Sequence, residues 1–304
     1  MKTTKRIMQE AGTLGLAVPA FNIPYLPILK PVVQALRDTD TFGLIAVARL
    51  EWMKFEARSL EAVRDEYERW KDPHLTRLHL DHVPVVDEDL KAVDYRAVIA
   101  EALKAGYGSV MVDGSRLPLD QNIAATRAVA DMAHAGGVPV EGELGAVMGH
   151  ESGPLPPYDE LFESGRGFTD PDEAVRFVRE TGVDWLSVAI GNIHGAISGA
   201  ASKTRKVQAR LNLDHLRRIR DAVGIPLVLH GGSGIRTDCL QASFRSGIVK
   251  INVGTSIRQP FEQLRGQSVE KACLAVYAET VRVICDELNV KGSAGRLKAE
   301  SGNQ

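Results

Sequence analysis

Cysteine is scarce in this chain of 304 residues: Cys239, Cys273 and Cys285 lie far apart and form no CxxC pair. That pattern excludes a disulfide framework and a cysteine-built zinc site, and it leaves three reduced thiols expected in or near the core. No apolar run approaches the length of a membrane span. Neither sign of charge is in excess, with 37 Lys and Arg against 39 Asp and Glu. Without a basic block, neither nucleic acid nor a membrane surface is an expected partner. The opening MKTTKRIMQEAG reads as a short amphipathic helix without the apolar centre of a secretion signal, so the expected compartment is the cytoplasm. Internal repeats and low-complexity segments are absent too. What remains, 44% hydrophobic and 25% charged, is the composition of a soluble globular protein.

Short apolar runs alternate with longer amphipathic segments. The strand candidates are Leu16–Asn22, Gly43–Ala48, Thr76–Asp81, Ser109–Asp113, Val138–Glu143, Asp184–Ile190, Pro226–His230 and Val249–Val253. Near-continuous apolar strands are expected where both faces of a parallel sheet are covered. Between them, Asp170-Pro171-Asp172-Glu173 is a helix start, with Ala174, Val175, Phe177 and Val178 as its apolar face and Gly182 as its stop. Asp120–Ala135 and Leu211–Val223 are further helices. Eight β/α units predict a (β/α)8 TIM barrel as a single α/β domain spanning 1–304. A doubly wound open sheet is the rival, but no GxGxxG follows the first strand. Beyond the eighth strand, Glu262–Leu288 reads as a long helical extension able to form a subunit contact, and Lys291–Gln304 as a polar tail that frays.

A barrel gathers all strand ends on one face, and the chemistry-bearing residues sit at those ends. HLDH at 79–82 closes the third strand; His194 and His230 follow the sixth and end the seventh. Three imidazoles, with no cysteine beside them, suit a divalent ion with one open position, the arrangement of catalytic zinc. His79 is read as a buried or supporting polar residue. Asp81, next to a proposed ligand, is the candidate acid/base, with orientation of an imidazole as its other possible role. Asp113 and Glu143 end the fourth and fifth strands, where each can orient a ligating histidine or form a second metal position; Asp113 can equally cap its loop. HGGSG at 230–234 and NVGT at 252–255 offer backbone N–H groups to a phosphate, with Ser233, Asn252 and Thr255 as side-chain donors. The loop-like stretch from Gly145 to Gly167 suits a mobile lid carrying Glu151, with His150 a bystander.

In this order HLDH, GYGSVMVDGSRLP (106–118), VPVEGELG, GVDWLSVAIGNIHG (182–195), PLVLHGGSGI (226–235), KINVGT (250–255) and GSAGR resemble the class II, zinc-dependent ketose-bisphosphate aldolases over nearly the whole chain. The resemblance implies a (β/α)8 barrel, a homodimer or homotetramer, that cleaves a ketose phosphate reversibly into dihydroxyacetone phosphate and an aldehyde. It implies one Zn2+ on His82, His194 and His230, with a monovalent cation near the phosphate as an option. Asp81 then acts on the aldehyde-derived oxygen and Glu151 on the carbon-bound proton. Asn22, Gly195, Gly231, Gly232, Ser233, Asn252, Val253, Gly254, Thr255 and Arg258 become the substrate contacts. The chain departs from the family at Ala46 and Ala48, where Gln and Ser are common and Arg49 is a candidate substitute. It departs again at Ser198, where a Lys is common and only Lys203 and Lys206 follow, at Gly254, where the fructose branch has Asp, and in about ten extra residues between His82 and Gly106. These changes bear on which ketose is used, tagatose- or fructose-bisphosphate-like or another sugar. A metal-dependent hydrolase is the first alternative, weakened by the lack of His-x-His on the first strand, and a non-catalytic sugar-phosphate-binding relative is the second.

Overall fold

The computed structural model describes residues 2–145, 157–192, 209–232 and 234–299. Eight parallel strands close a barrel in sequence order: β1 (Val18–Asn22), β2 (Gly43–Ala48), β3 (Thr76–Pro84), β4 (Ser109–Asp113), β5 (Val140–Leu144), β6 (Trp185–Val188), β7 (Leu227–Leu229) and β8 (Ile248–Val253). β8 returns to β1 with Val18 opposite Lys250 and Ala20 opposite Asn252, so no edge is left open. All eight expected strands are present, most with ends shifted by one to three residues.

Side chains alternate across each strand. Phe21, Ile45, Val47, Val110, Val112, Leu186 and Val188 point outward into the layer beneath the helices. Ala20, Leu44, Ala46, Trp185 and Val228 fill the barrel interior. That interior layer continues onto Ile7, Met8 and Ala11 of the Thr4–Thr13 helix. Further along the inward face, at or just past the ends of seven of the eight strands, come Asn22, Ala48, Asp81, Asp113, Glu143, His230 and Asn252. The period of two thus carries the polar residues to one end of the barrel, the C-terminal end of its strands.

Local signals hold where the sequence is explicit. Asp170 accepts the N–H groups of Asp172 and Glu173 at 2.9 and 3.0 Å, Pro171 opens the helix Pro171–Thr181, and Gly182 ends it at φ +70°. Ala174 and Phe177 are buried, whereas Val175 is exposed and not part of the packed face. The helical extension expected over Glu262–Leu288 is present as two helices, Thr255–Leu264 and Val269–Arg282, followed by a π-turn, Val283–Glu287; Ser268 caps the second by accepting from Lys271 N–H. The expected fraying of the tail is corrected over Ser293–Ala299, residues 300–304 lying outside the described residues. Ser293–Ala299 is helical, Ala294 and Leu297 are buried, and Ser293 Oγ accepts the N–H of Phe42 at 3.1 Å. Apolar residues at 294 and 297 lie one helical turn apart, which polar composition had masked. Among the described residues no helix is long and apolar enough to cross a membrane.

Candidate active site

On a regular strand Asp81 would face the barrel and His82 the helices. β3 avoids this. Leu80 pairs with Val110 and Val83 with Val112, so Asp81 and His82 together stand opposite Met111. This is a β-bulge, which re-aims a side chain at the cost of local strain. His82 has φ +27°, a left-handed value rare for a residue with a full side chain. Both side chains therefore reach the mouth. His79 lies deeper, fully buried, with Nδ1 2.8 Å from Ser109 Oγ.

At the inner end of the mouth, His82 Nε2 and His230 Nδ1 are 2.6 Å apart, with the rings edge to face. Each ring's other nitrogen faces a carboxylate. His230 Nε2 is 2.7 Å from Glu141 Oε1, and His82 Nδ1 is 3.5 Å from Asp113 Oδ2 and 3.8 Å from Glu143 Oε2. Such partners fix which nitrogen is left to face an ion. Asp113 also accepts from the N–H and hydroxyl of Ser115, so it orients an imidazole and caps its loop at once.

Beneath this pair lies a layer of charge that the sequence reading did not single out. Glu141 accepts from Trp185 Nε1 at 2.7 Å and, through Oε1, from Lys250 Nζ at 3.2 Å, with its Oε2 2.9 Å from the same ammonium; all three residues are fully buried. Lys250 also donates to Asn252 Oδ1 at 2.7 Å and lies 3.6 Å from Asp81 Oδ1. The missed signals were a lysine inside an apolar strand, VKINV, and a glutamate two residues before Glu143, hence on the same face.

Asp81 Oδ2 accepts from Asn22 at 3.0 Å and from Asn252 at 2.8 Å. Burial pushes its carboxyl up, but Lys250, His82 and His79 outweigh that and hold it well below the usual range. Burial pushes His82 down, yet Asp81, Asp113 and Glu143 raise it to about 10. His230 falls to about 4 through burial and the charge of His82. Burial, then Asp113, holds Glu143 well above its ordinary value. Glu141, raised by burial, is pulled down to about 2 chiefly by Lys250 and His230.

A cavity of about 390 Å³ opens above these groups, walled by Asn22, Asp81, His82 and His230 on the inside and by Gly231, Gly232 and the Asn252–Arg258 stretch along β7 and β8. Gly231 has φ +70°, and a Cβ on Gly232 would meet Ile251 at 2.8 Å, so both positions favour glycine. Val253 is buried, and Gly254 caps the helix that begins at Thr255. Arg258 lines the cavity, but its guanidinium is bonded to both oxygens of Glu262 at 2.7 and 2.8 Å and covers the Phe55 ring. Ala46 is fully buried in the barrel, and Ala48 reaches the cavity. Arg49 does not line this cavity; it lines an adjoining cleft of about 110 Å³ with Asp113 and Arg116. His194, Gly195, Glu151, His150, Ser198, Lys203, Lys206 and Ser233 lie outside the described residues.

Among the described residues, three groups of side chains bring ligand atoms close enough to share an ion: Asp81, His82 and His230; His82, Asp113 and Glu143; and, deeper, His79, Asp81 and Glu141. Asp81 Oδ1 and Glu143 Oε2 are buried without a hydrogen-bond partner among the described residues. Two imidazole nitrogens converging beside orphaned carboxylate oxygens fit a divalent cation by donor chemistry.

Comparison with known proteins agrees with this geometry. The family model for class II fructose-bisphosphate aldolase matches residues 2–295. The YdjI aldolase of Escherichia coli K12 is similar in structure at 25% identity, TM-score 0.73, covering 96% of this chain and 99% of that one. A candidate fructose-1,6-biphosphate aldolase from Coccidioides immitis (23% identity, TM-score 0.76, 96% and 99% covered) shares the fold. So does the fructose-bisphosphate aldolase of Campylobacter jejuni (16%, TM-score 0.70, 94% of each chain). With a closed eight-strand barrel, a histidine and carboxylate cluster at its mouth and a family match over nearly its whole length, the chain belongs to the class II fructose-bisphosphate aldolases and is a lyase.

Proposed function

We propose that this aldolase is zinc-dependent and cleaves a ketose carrying a 1-phosphate, reversibly, into dihydroxyacetone phosphate and an aldehyde. The observation that carries the proposal is the β3 bulge, which delivers an imidazole and the adjacent carboxylate to one cavity floor. His82 and His230, with His194 from outside the described residues, would hold the ion. When bound, it supplies the Lewis acidity that stabilises negative charge developing beside the ketose carbonyl.

The chain's own groups do the rest. Asp81, kept ionised by Lys250 and His82 and fixed by Asn22 and Asn252, accepts the proton of the C4 hydroxyl. The C3–C4 bond breaks, its electron pair passes to C3 and the enediolate, and the C4 oxygen becomes the aldehyde carbonyl. C3 then takes a proton, a role we assign to Glu151. The backbone of Gly231, Gly232, Val253 and Gly254, with Thr255 and with Gly195 and Ser233 from outside the described residues, is the proposed phosphate cradle, a monovalent cation beside it being an option. Asn22 and Asn252, expected to touch substrate, do so through the same amides that hold Asp81. Asp113 and Glu143 orient His82. The proposal includes a small sugar phosphate as partner, the cytoplasm as compartment and a homodimer or homotetramer as the assembly.

A coupled assay for dihydroxyacetone phosphate release tests this. Asp81→Ala should lower turnover by about two to four orders of magnitude while zinc content stays stoichiometric. Near-normal turnover in that variant would remove Asp81 from the reaction.

A further inference from the structure

The cavity has two unlike ends. Toward β7 and β8 it offers glycine backbone, whereas toward β2 its wall is Ala48, Leu50, Glu51 and Phe55. Asp81 and His82 stand between them. Glu51 is the unexpected member, a carboxylic acid only 8% exposed in the wall of a substrate cavity. Its Oε2 accepts the N–H of Ala48 at 2.8 Å, which caps the short helix Arg49–Lys54. Capping occupies one oxygen. It explains neither the burial nor the link to Asn22, the amide that also donates to Asp81.

We propose that Glu51 is a specificity determinant: its carboxyl pairs with a hydroxyl on the aldehyde half of the substrate and excludes a phosphate there. The aldehyde released is then an uncharged hydroxyaldehyde, and the ketose carries its one phosphate at the glycine end. This rests on the aldol reading above.

A phosphate brought to the β2 end would need charge-compensating donors. Among the described residues, the wall's cations, Lys54 and Arg258, are already engaged. Lys54 Nζ lies 2.7 Å from Glu88, and Arg258 is held by both oxygens of Glu262. Arg49 stands in the neighbouring cleft, 3.8 Å from Asp87. Burial pushes the Glu51 carboxyl up to about 8, with Asp81 adding to the shift, so at neutral pH it holds a proton and offers both a donor and an acceptor. Ionised, it would repel a phosphate outright. A sugar hydroxyl, itself donor and acceptor, satisfies the neutral carboxyl, and Leu50 and Phe55 pack on its carbon skeleton. A site built to bond a hydroxyl discriminates strongly against a substrate that lacks it, because its polar group is left unpaired.

The test uses the zinc-loaded enzyme in the synthetic direction, with dihydroxyacetone phosphate and one of D-glyceraldehyde, D-glyceraldehyde 3-phosphate or propanal. In the wild type, kcat/KM for glyceraldehyde should exceed that for its 3-phosphate by about tenfold or more. Glu51→Ala should shrink the advantage of glyceraldehyde over propanal by about tenfold. Glu51→Gln, which retains donor, acceptor and cap, should preserve it. A wild-type preference for the 3-phosphate, collapse of the advantage in Glu51→Gln, or an equal loss on all three aldehydes in Glu51→Ala overturns the assignment. The wild-type order decides even if Glu51→Ala fails to fold. Solvent exchange of the carbon-bound proton of dihydroxyacetone phosphate, measured in the wild type without aldehyde, reads the aldol function alone. Its absence rejects that function; its presence with the wrong aldehyde order rejects only Glu51.

Discussion

Replacing Lys250 with Met should unsettle the charged layer beneath the site. The ammonium is fully buried, 2.9 Å from Glu141 Oε2 and 3.6 Å from Asp81 Oδ1. At an effective dielectric near 20, those separations correspond to roughly 6 and 5 kcal/mol of attraction. Desolvation of the ammonium and both carboxylates offsets much of this, so the pairs' net worth is small. Truncation is different, because it leaves Glu141 and Asp81 buried without the ammonium they share. Breaking a buried pair in this way costs about 3–5 kcal/mol. Metal-stripped wild-type and Lys250→Met enzymes, unfolded in urea at pH 7 and followed by circular dichroism, should differ by that amount in extrapolated stability. Adding Glu141→Gln to Lys250→Met removes one orphaned charge, so the double variant should be less destabilised than the sum of the singles by at least about 1 kcal/mol. A cost for Lys250→Met below about 1 kcal/mol, or simple additivity, would refute the account of a charge-compensated floor.

Glu51 gives a pH prediction. Its folded-state pKa, about 8, lies above the ordinary 4.5, so the folded protein holds a proton that the unfolded chain releases. That contribution is fully present below about 4.5 and is lost as pH rises to about 8. Glu51→Gln does not titrate, so its stability relative to wild type should rise across that window by a few kcal/mol; equal differences in Tm at pH 5 and pH 8.5 would contradict it. Chelation with EDTA should abolish activity and added zinc restore it, while borohydride with dihydroxyacetone phosphate should leave no covalent adduct by mass spectrometry. A trapped adduct would indicate a lysine Schiff base and displace the metal reading.

The barrel was legible because parallel strands covered on both faces are written as apolar runs, and all eight runs became strands. Strand ends were less so. Pro226, for example, has no N–H to give the ladder and precedes β7, and His230 lies past its end, where glycine backbone takes over at Gly231. Candidate ligands could be named from their positions at strand ends, but not their environment. Glu141 and Lys250 sit in the same inward rows as Glu143 and Asn252, yet a polar residue inside a barrel makes sense only once the strand opposite supplies its partner. Glu141 is on β5 and its partners come from β6, β7 and β8. The family resemblance marked Arg258 as a substrate contact; its guanidinium is bonded to Glu262, one turn along the same helix.

The Asp81-His82 pair shows how a motif can be legible in a sequence while its geometry is not. Strict alternation makes adjacent residues on a strand face opposite ways, so a regular β3 would expose one of the two to the cavity and bury the other under helices. One extra residue against Met111 brings both to the cavity. The backbone strain at His82, of order 1–3 kcal/mol, falls on the residue whose imidazole Asp113, Glu143 and His230 surround. Relaxing the bulge would relieve that strain but turn either Asp81 from its two asparagine donors or His82 from His230. On the proposed roles an acid/base group and a ligand must share one face, and Asn22, Asn252, Asp113 and His230 around β3 hold the pair there.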